Sequence, residues 1–80
     1  MFTTYILFSE KTGKFYTGQT ADINKRMEYH NTGKSKFTAA GIPWKIIFTR
    51  EHASRKEAIL LERSIKKRGA ARFLKDKHLN

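Results

Sequence analysis

Two short runs of strand-forming residues, separated by a polar turn, open the chain. Residues 3–8 (TTYILF) and 14–19 (KFYTGQ) are rich in β-branched and aromatic side chains, which favour extended structure. The polar segment between them ends at Gly13, and glycine adopts the positive φ of a tight turn at little steric cost. The pattern therefore predicts a β-hairpin at the start of the chain.

A helical spacing of apolar positions follows the hairpin. Within residues 21–31, Ile23 and His30 lie at positions i and i+7 and so share one helix face. Asp22 suits the first turn, where the helix dipole favours an anion. Gly33 is a typical residue to end such a helix. We therefore predict an amphipathic helix over residues 21–31.

A polar loop, a third strand and a second helix come next. Residues 32–42 are polar and basic and predict a loop, whereas residues 44–49 are apolar and β-branched and predict a strand. Ser54 and Glu57 match a capping box, with serine as the N-cap and glutamate three positions later. The second helix is predicted to run from this box to about Arg68.

Residues 70–76 predict a short terminal helix after Gly69, which suits a helix end. The order β-β-α-β-α with this addition predicts one α+β domain over residues 1–80, a three-stranded antiparallel sheet with flanking helices. A chain of 80 residues leaves room for one core. Because it contains no cysteine, disulfides and thiolate metal sites are excluded.

The charge balance of the chain gives a first indication of its function. Lysine and arginine number 17 against 7 acidic residues, a formal net charge of +10. This excess favours a polyanionic partner such as nucleic acid; the alternative is a basic surface with no partner. No segment approaches the ~20 apolar residues that a membrane span requires, so we expect a cytoplasmic protein that does not bind membranes.

The predicted hairpin brings two tyrosines onto one side of the ribbon. If Ser9 pairs with Lys14 across the turn, Tyr5 lies opposite Gly18, and Tyr16 shares their face because side chains alternate along a strand. Glycine at that place would leave an open spot where a phosphate could approach the backbone. The alternative is that both tyrosines are ordinary strand residues with solvated hydroxyls.

Arg26 and His30 lie one turn apart on the first helix and so point the same way. An arginine there could bind a phosphate with its fork of donors. The alternative is an ordinary solvated pair.

Glu62 places a carboxylate beside the apolar stripe of the second helix, which comprises Ala58, Leu61 and Ile65. A carboxylate on a core-facing stripe costs free energy unless it is paired or binds a cation. Phosphodiester cleavage often uses one carboxylate to hold Mg²⁺. The alternative is that Glu62 lies at the edge of the stripe and pairs with a nearby lysine or arginine.

The order of these residues along the chain resembles the GIY-YIG nuclease family. The resemblance is carried by Tyr5, Tyr16-Thr17-Gly18, Arg26, His30 and Glu62. Tyr5 and Tyr16 lie 11 positions apart and Tyr16 and Arg26 lie 10 apart, and both spacings fit the family. The segment His30-Asn31-Thr32-Gly33 is similar to that of the small stand-alone bacterial members.

The resemblance implies a metal-dependent endonuclease that hydrolyses phosphodiester bonds in DNA with little intrinsic sequence specificity. Glu62 would hold Mg²⁺ or Mn²⁺, and Tyr5, with His30, would orient or deprotonate the attacking water. Arg26 would neutralise charge that builds on the phosphoryl oxygens, and Tyr16 would hydrogen-bond the phosphate or the water. Candidate substrate contacts are Gly18, Lys14, Lys34, Lys36, Lys66, Lys67, Arg68 and Arg72.

The chain also departs from the family pattern. Thr3-Thr4 replaces Gly-Ile, but backbone and packing define those places, so the chemistry is expected to survive. Residues 70–75 lack the asparagine that helps many members bind substrate, and Asn80 lies too near the end to replace it, which implies weaker substrate affinity. We expect a role in DNA repair and a protein partner for targeting; the alternative is a non-catalytic nucleic-acid-binding module or an RNA-binding subunit of the same fold.

Overall fold

A three-stranded antiparallel sheet forms the centre of the computed structural model, which describes residues 1–77. The strands are β1 (Phe2–Ser9), β2 (Lys14–Thr20) and β3 (Trp44–His52). β1 lies in the middle, antiparallel to both neighbours, so that β2 and β3 are the two edges of the sheet. Together with three helices this confirms the predicted α+β fold.

The hairpin has the predicted register. Ser9 pairs with Lys14, and as a result Tyr5 lies opposite Gly18. Gly13 has a φ of 70°, and its backbone N–H donates to the Ser9 carbonyl oxygen at 2.8 Å. The turn therefore forms as local propensity predicts.

β3 is longer than the predicted residues 44–49, because it continues to His52. The added residues are polar and would not be assigned to a strand by local pattern. They stay extended because β1 continues beside them: Phe2 pairs with His52 and Thr4 pairs with Arg50. Pairing with a central strand thus outweighs local preference at this end.

The two main helices begin at side-chain caps. α1 (Ile23–Asn31) starts two residues later than predicted, because the Asp22 carboxylate accepts a hydrogen bond from the backbone N–H three residues on and so acts as the N-cap. α2 (Arg55–Arg68) begins after the predicted capping box, in which the Ser54 hydroxyl oxygen accepts from the Glu57 N–H at 3.2 Å.

The predicted terminal helix is present as α3 (Ala70–Asp76). Gly69 connects it to α2 with a φ of 94°, a conformation that few other residues adopt. The Arg68 guanidinium spans the corner and donates to the Asp76 carboxylate at 2.8 and 3.0 Å. Asn80, which was expected not to replace the missing asparagine, lies outside the described residues.

The predicted loop over residues 32–42 contains one short turn of 3₁₀ helix, Ala39–Gly41. It is fastened to the start of β3 by the Trp44 indole, whose Nε1–H donates to the Thr38 carbonyl oxygen at 2.7 Å. The loop therefore has a defined position against the sheet.

The sheet separates two apolar clusters. On one face α2 and α3 pack against the strand residues Ile6 and Phe48 through their own Ile65, Phe73 and Leu74. On the other face α1 and the loop cover Tyr5, Leu7 and Trp44, with Tyr16, Ile23, Met27 and Ile42 partly buried around them. None of the helices formed by residues 1–77 has the length and apolar character needed to cross a membrane.

Candidate active site

Tyr5 and His30 meet inside the protein rather than at its surface. Each is only 1% exposed, and the Tyr5 hydroxyl lies 3.1 Å from His30 Nε2. β1 supplies the tyrosine and the last turn of α1 supplies the histidine. The alternative of a solvated hydroxyl is therefore wrong for Tyr5.

The other ring nitrogen of His30 has its own partner. His30 Nδ1 lies 3.1 Å from the Thr38 hydroxyl oxygen, and that hydroxyl donates to the Ser35 carbonyl oxygen at 3.5 Å. The distance of 3.5 Å is at the long limit of a hydrogen bond. We assign the hydrogen of the imidazole to Nδ1 and the free base to Nε2, an assignment in which the Tyr5 hydroxyl donates to Nε2.

Burial and charged neighbours shift the pKa values of Tyr5 and His30. Burial raises the pKa of the Tyr5 hydroxyl well above its ordinary value; Tyr16 and Glu62 add to the rise, whereas Arg26 opposes it. Burial, and after it Arg26, holds the pKa of His30 below its ordinary value. Both groups are therefore uncharged at neutral pH. Arg26 and Glu62 thus lie close enough to Tyr5 for their charges to act on it.

Gly18 provides space for the Tyr5 ring. A Cβ atom at this position would lie 2.6 Å from the Tyr5 hydroxyl oxygen and 2.8 Å from its Cζ atom, closer than van der Waals contact allows. The expectation of an open spot for a phosphate was wrong, because the Tyr5 side chain fills it. A cross-strand aromatic ring that folds over glycine explains the difference.

Arg26 and His30 do not form the solvated pair considered above. His30 is buried, whereas Arg26 is exposed and lies against Tyr29, with its Cζ atom 5.5 Å from the ring centroid. The guanidinium lines a cleft of about 540 Å³ that Lys25 and Arg55 also line. Arg26 is thus placed to reach a ligand in solvent while it influences the buried tyrosine.

Glu62 lies half-buried on α2 and pairs with a lysine on the next turn. Its side chain is 21% exposed, and the Lys66 Nζ atom lies 2.8 Å from one carboxylate oxygen. The predicted alternative of a lysine partner is therefore present. An exposed ion pair of this kind contributes about 0–1 kcal/mol, so a divalent cation could replace the lysine. Among residues 1–77, no three histidine, aspartate or glutamate side chains cluster as a metal site.

Of the two motif tyrosines, Tyr16 is the more accessible, and it borders two clefts at the edge strand β2. The edge cleft, about 490 Å³ in volume, is lined by Lys14, Phe15, Tyr16, Thr17, Lys66 and Ala70. The aromatic cleft, about 180 Å³, has among its lining residues Lys14, Phe15, Tyr16, Phe37, Thr38 and Trp44. The two clefts share the β2 residues Lys14, Phe15 and Tyr16, and they differ in their other walls: the edge cleft lies against α2 and α3, and the aromatic cleft lies against the loop and Trp44.

The remaining predicted basic contacts are more dispersed. Arg72 lines a separate cleft at the α2–α3 corner with Arg68 and Lys75. Lys34 and Lys36 lie exposed in the loop after α1, and Lys67 is exposed on α2. Of the predicted substrate lysines, the structure brings only Lys14 and Lys66 to the clefts that Tyr16 borders.

Two residues that position the site were missed in the sequence. Thr38 bonds to His30 across eight positions, and no local pattern indicates that a loop residue returns to the helix. Asn31 bonds to both backbone groups of Trp44: its Oδ1 accepts from the N–H at 2.7 Å and its Nδ2 donates to the carbonyl at 3.2 Å. The His30-Asn31 pair within the quoted motif was the available signal.

Comparison with known proteins decides the family. The sequence matches the model of the GIY-YIG catalytic domain over residues 1–76. The chain belongs to the GIY-YIG family. This family is a nuclease superfamily, so the GIY-YIG domain here is of the nuclease type, and the resemblance drawn from the site residues is confirmed.

Its GIY-YIG relatives include small bacterial proteins of the UPF0213 group. A UPF0213 protein of Streptococcus pneumoniae is 37% identical over 59 residues, which are 72% of this chain and 60% of the relative. One from Bacillus licheniformis is 31% identical over 77 residues, 91% of this chain and 79% of the relative. Matched segments thus span about three fifths of the length of the first of these relatives.

The GIY-YIG fold is also seen in a solved relative. The solution NMR structure of a UPF0213 protein from Bacillus halodurans matches all of this chain and 86% of its own, with a TM-score of 0.60 and 29% sequence identity. The names of these relatives state no activity. The reaction and substrate of this GIY-YIG chain are therefore argued from its own site.

Proposed function

We propose that this protein is a metal-dependent endonuclease that hydrolyses phosphodiester bonds in DNA with little sequence specificity. The observation that carries the proposal is the buried contact of 3.1 Å between the Tyr5 hydroxyl and His30 Nε2. Strand packing alone does not require a buried tyrosine that donates to a neutral imidazole. The imidazole of His30 supplies a base close to Tyr16, which borders the clefts at β2.

The hydrogen-bonded chain supports a proton path from water to histidine. With the hydrogen of His30 assigned to Nδ1, Nε2 would accept the Tyr5 proton as the buried tyrosine oxygen takes one from an attacking water that reaches it. The lowered pKa of His30 keeps the imidazole neutral and ready to accept. The raised pKa of Tyr5 means that the tyrosine loses its proton only as another arrives.

The cations around the site support binding of a phosphodiester. Arg26 is exposed and close enough to influence Tyr5, and its guanidinium would neutralise charge that develops on the phosphoryl oxygens. Tyr16 would donate to a phosphate in the edge cleft, which Lys14 and Lys66 also line. These cations support contact with the phosphate backbone of a strand along β2.

Glu62 fits the role of metal ligand. Mg²⁺ is typically held by one or two carboxylates together with water and substrate phosphate oxygens, and Glu62 is a half-buried carboxylate that acts on Tyr5 through charge. Binding of a cation would release Lys66 toward the edge cleft. The metal supplies stabilisation of the leaving oxygen.

The test is a cleavage assay with end-labelled single-stranded DNA, duplex DNA and RNA in Mg²⁺, Mn²⁺ or EDTA. We expect cutting of DNA that requires the metal and that falls at least about 100-fold in Glu62→Gln, because metal stabilisation of the transition state amounts to several kcal/mol. Tyr5→Phe should cause a comparable loss, since it removes the proton path.

The matched control is Glu51→Gln, which removes an exposed carboxylate from β3 and should cut like the wild type. Cutting that persists in Glu62→Gln would overturn the proposed mechanism. Absence of cutting by wild type, with salt-sensitive binding retained, would indicate a non-catalytic nucleic-acid-binding module.

A further inference from the structure

Phe37 is the most exposed large apolar side chain among the described residues, at 98%. It lies in the loop between α1 and β3, directly after Lys36, and it lines the aromatic cleft together with Phe15 and Tyr16. Full exposure of a phenylalanine is unfavourable in water, and the fold of this chain does not use the ring for its core.

The backbone that carries Phe37 is held firmly. The next residue, Thr38, is 2% exposed and bonds to His30, and its carbonyl oxygen accepts from the Trp44 indole at 2.7 Å. The N–H groups of Thr38 and Ala39 both donate to the Ser35 carbonyl oxygen, at 3.2 and 3.0 Å. The exposed ring therefore projects from an ordered turn, which lowers the entropy cost of binding a partner on it.

We propose that the aromatic cleft binds an unpaired nucleobase of the strand whose phosphates lie along β2, with the base stacked on Phe37. This proposal rests on the proposed nuclease function and names its substrate class: single-stranded or locally unpaired DNA. Aromatic rings interleaved with lysines are the usual platform for unstacked bases.

Charge and position both favour a nucleic-acid strand as the occupant. Lys34 and Lys36 both precede the ring in sequence and Lys14 lines the same cleft, so the phosphates next to a stacked base would meet cations. Tyr16 lines both the aromatic and the edge cleft, so the base site borders the candidate active site at this tyrosine. The volume of about 180 Å³ is smaller than the roughly 300–1,000 Å³ of pockets that hold drug-sized ligands, so the cleft has room for a small group such as one ring system.

The test measures binding without cleavage, in EDTA. A fluorescein-labelled oligodeoxythymidylate is compared with an abasic strand of the same length, which carries the same phosphates without bases. We expect the wild type to bind the oligodeoxythymidylate about tenfold more tightly than the abasic strand, the fold-change given by ~1.4 kcal/mol of base stacking. Phe37→Ala should remove this difference and leave affinity for the abasic strand unchanged, whereas Phe37→Trp should retain it.

Leu60→Ala is the matched control, since it truncates an exposed apolar side chain of α2 outside the aromatic cleft; it should bind like the wild type. Unchanged discrimination in Phe37→Ala would overturn the inference, as would equal dependence on Phe37 for intact duplex and single strands. Cleavage in Mg²⁺ is scored separately. A protein that stacks bases but never cuts would contradict the proposed function alone, and one that cuts without using Phe37 would contradict this inference alone.

Discussion

His30 connects the chemistry of the candidate site to its packing. Both ring nitrogens are bonded, to Tyr5 on one side and to Thr38 on the other, so the ring is held in one orientation. Tyr5 in turn needs Gly18, whose missing side chain leaves room for its hydroxyl. At this scale, four residues from β1, β2, α1 and the loop depend on one another.

The first prediction concerns stability as a function of pH. The pKa of His30 is held below its ordinary value of 6.5 in the folded protein, by burial and then by Arg26. The unfolded chain therefore takes up the proton first as the pH falls. Stability should be complete above about pH 6.5 and should be lost as the pH falls toward the lowered pKa. Thermal unfolding followed between about pH 7.5 and 5.5 measures this loss.

His30→Gln should flatten the dependence of Tm on pH, because it removes the group that titrates. His52→Gln is the matched control, since it removes an imidazole from β3 and leaves His30 in place; it should still lose stability as the pH falls. If His30→Gln and the wild type lost stability in parallel, the assigned role of His30 burial would be wrong.

At the scale of elements, the site depends on how α1 and the loop are fastened to the sheet. β3 is an edge strand, so the outward backbone groups of its first residue need a partner. Asn31, the last residue of α1, supplies both bonds to Trp44. The Trp44 indole then holds the loop that carries Thr38 and Phe37.

A second prediction follows for Asn31. Asn31→Ala leaves the Trp44 N–H and carbonyl without their side-chain partner, so the free energy of unfolding should fall by about 1–3 kcal/mol. Asn31→Asp keeps the acceptor for the N–H but lacks the donor, and should lie between Asn31→Ala and the wild type. Urea unfolding measures these differences, with the exposed Asn24→Ala on α1 as the control. Equal stability of Asn31→Ala and Asn24→Ala would disprove the anchoring role.

At the scale of the whole molecule, positive charge is in excess, with a formal net charge of +10. Part of this charge lies in clefts. Lys25, Arg26 and Arg55 line one cleft, and Lys14 and Lys66 line the edge cleft. An anionic strand would therefore be attracted to the molecule in general and be positioned by a few of these cations.

The third prediction separates the general attraction of an anionic strand from its positioning by single cations. The logarithm of the binding constant for single-stranded DNA should fall linearly with the logarithm of salt concentration. Lys14→Gln should make that slope less steep by about 0.7, the contribution of one phosphate contact. Lys56→Gln, on the first turn of α2 and outside the clefts that Tyr16 borders, should leave the slope unchanged. A Lys14→Gln slope equal to that of the wild type would exclude a phosphate contact at Lys14.

Local sequence pattern was sufficient for the elements and the family. The hairpin register, the capping box at Ser54, the Gly69 corner and the terminal helix all follow from interactions between residues close in sequence, and the structure agrees with them. The order of Tyr5, Tyr16, Arg26, His30 and Glu62 was sufficient to predict the GIY-YIG family.

Tertiary structure alone decided the environment of each site residue. Tyr5 and His30 are buried by residues far apart in sequence, and the space over Gly18 is filled by the ring of Tyr5 on the neighbouring strand. The bond from Thr38 to His30 depends on a loop that folds back onto the helix. Local periodicity does not contain that information, because the same alternation is compatible with a solvated or a buried hydroxyl. The physical reason is that desolvation and pairing are properties of packed elements, whereas turns and caps are properties of neighbouring residues.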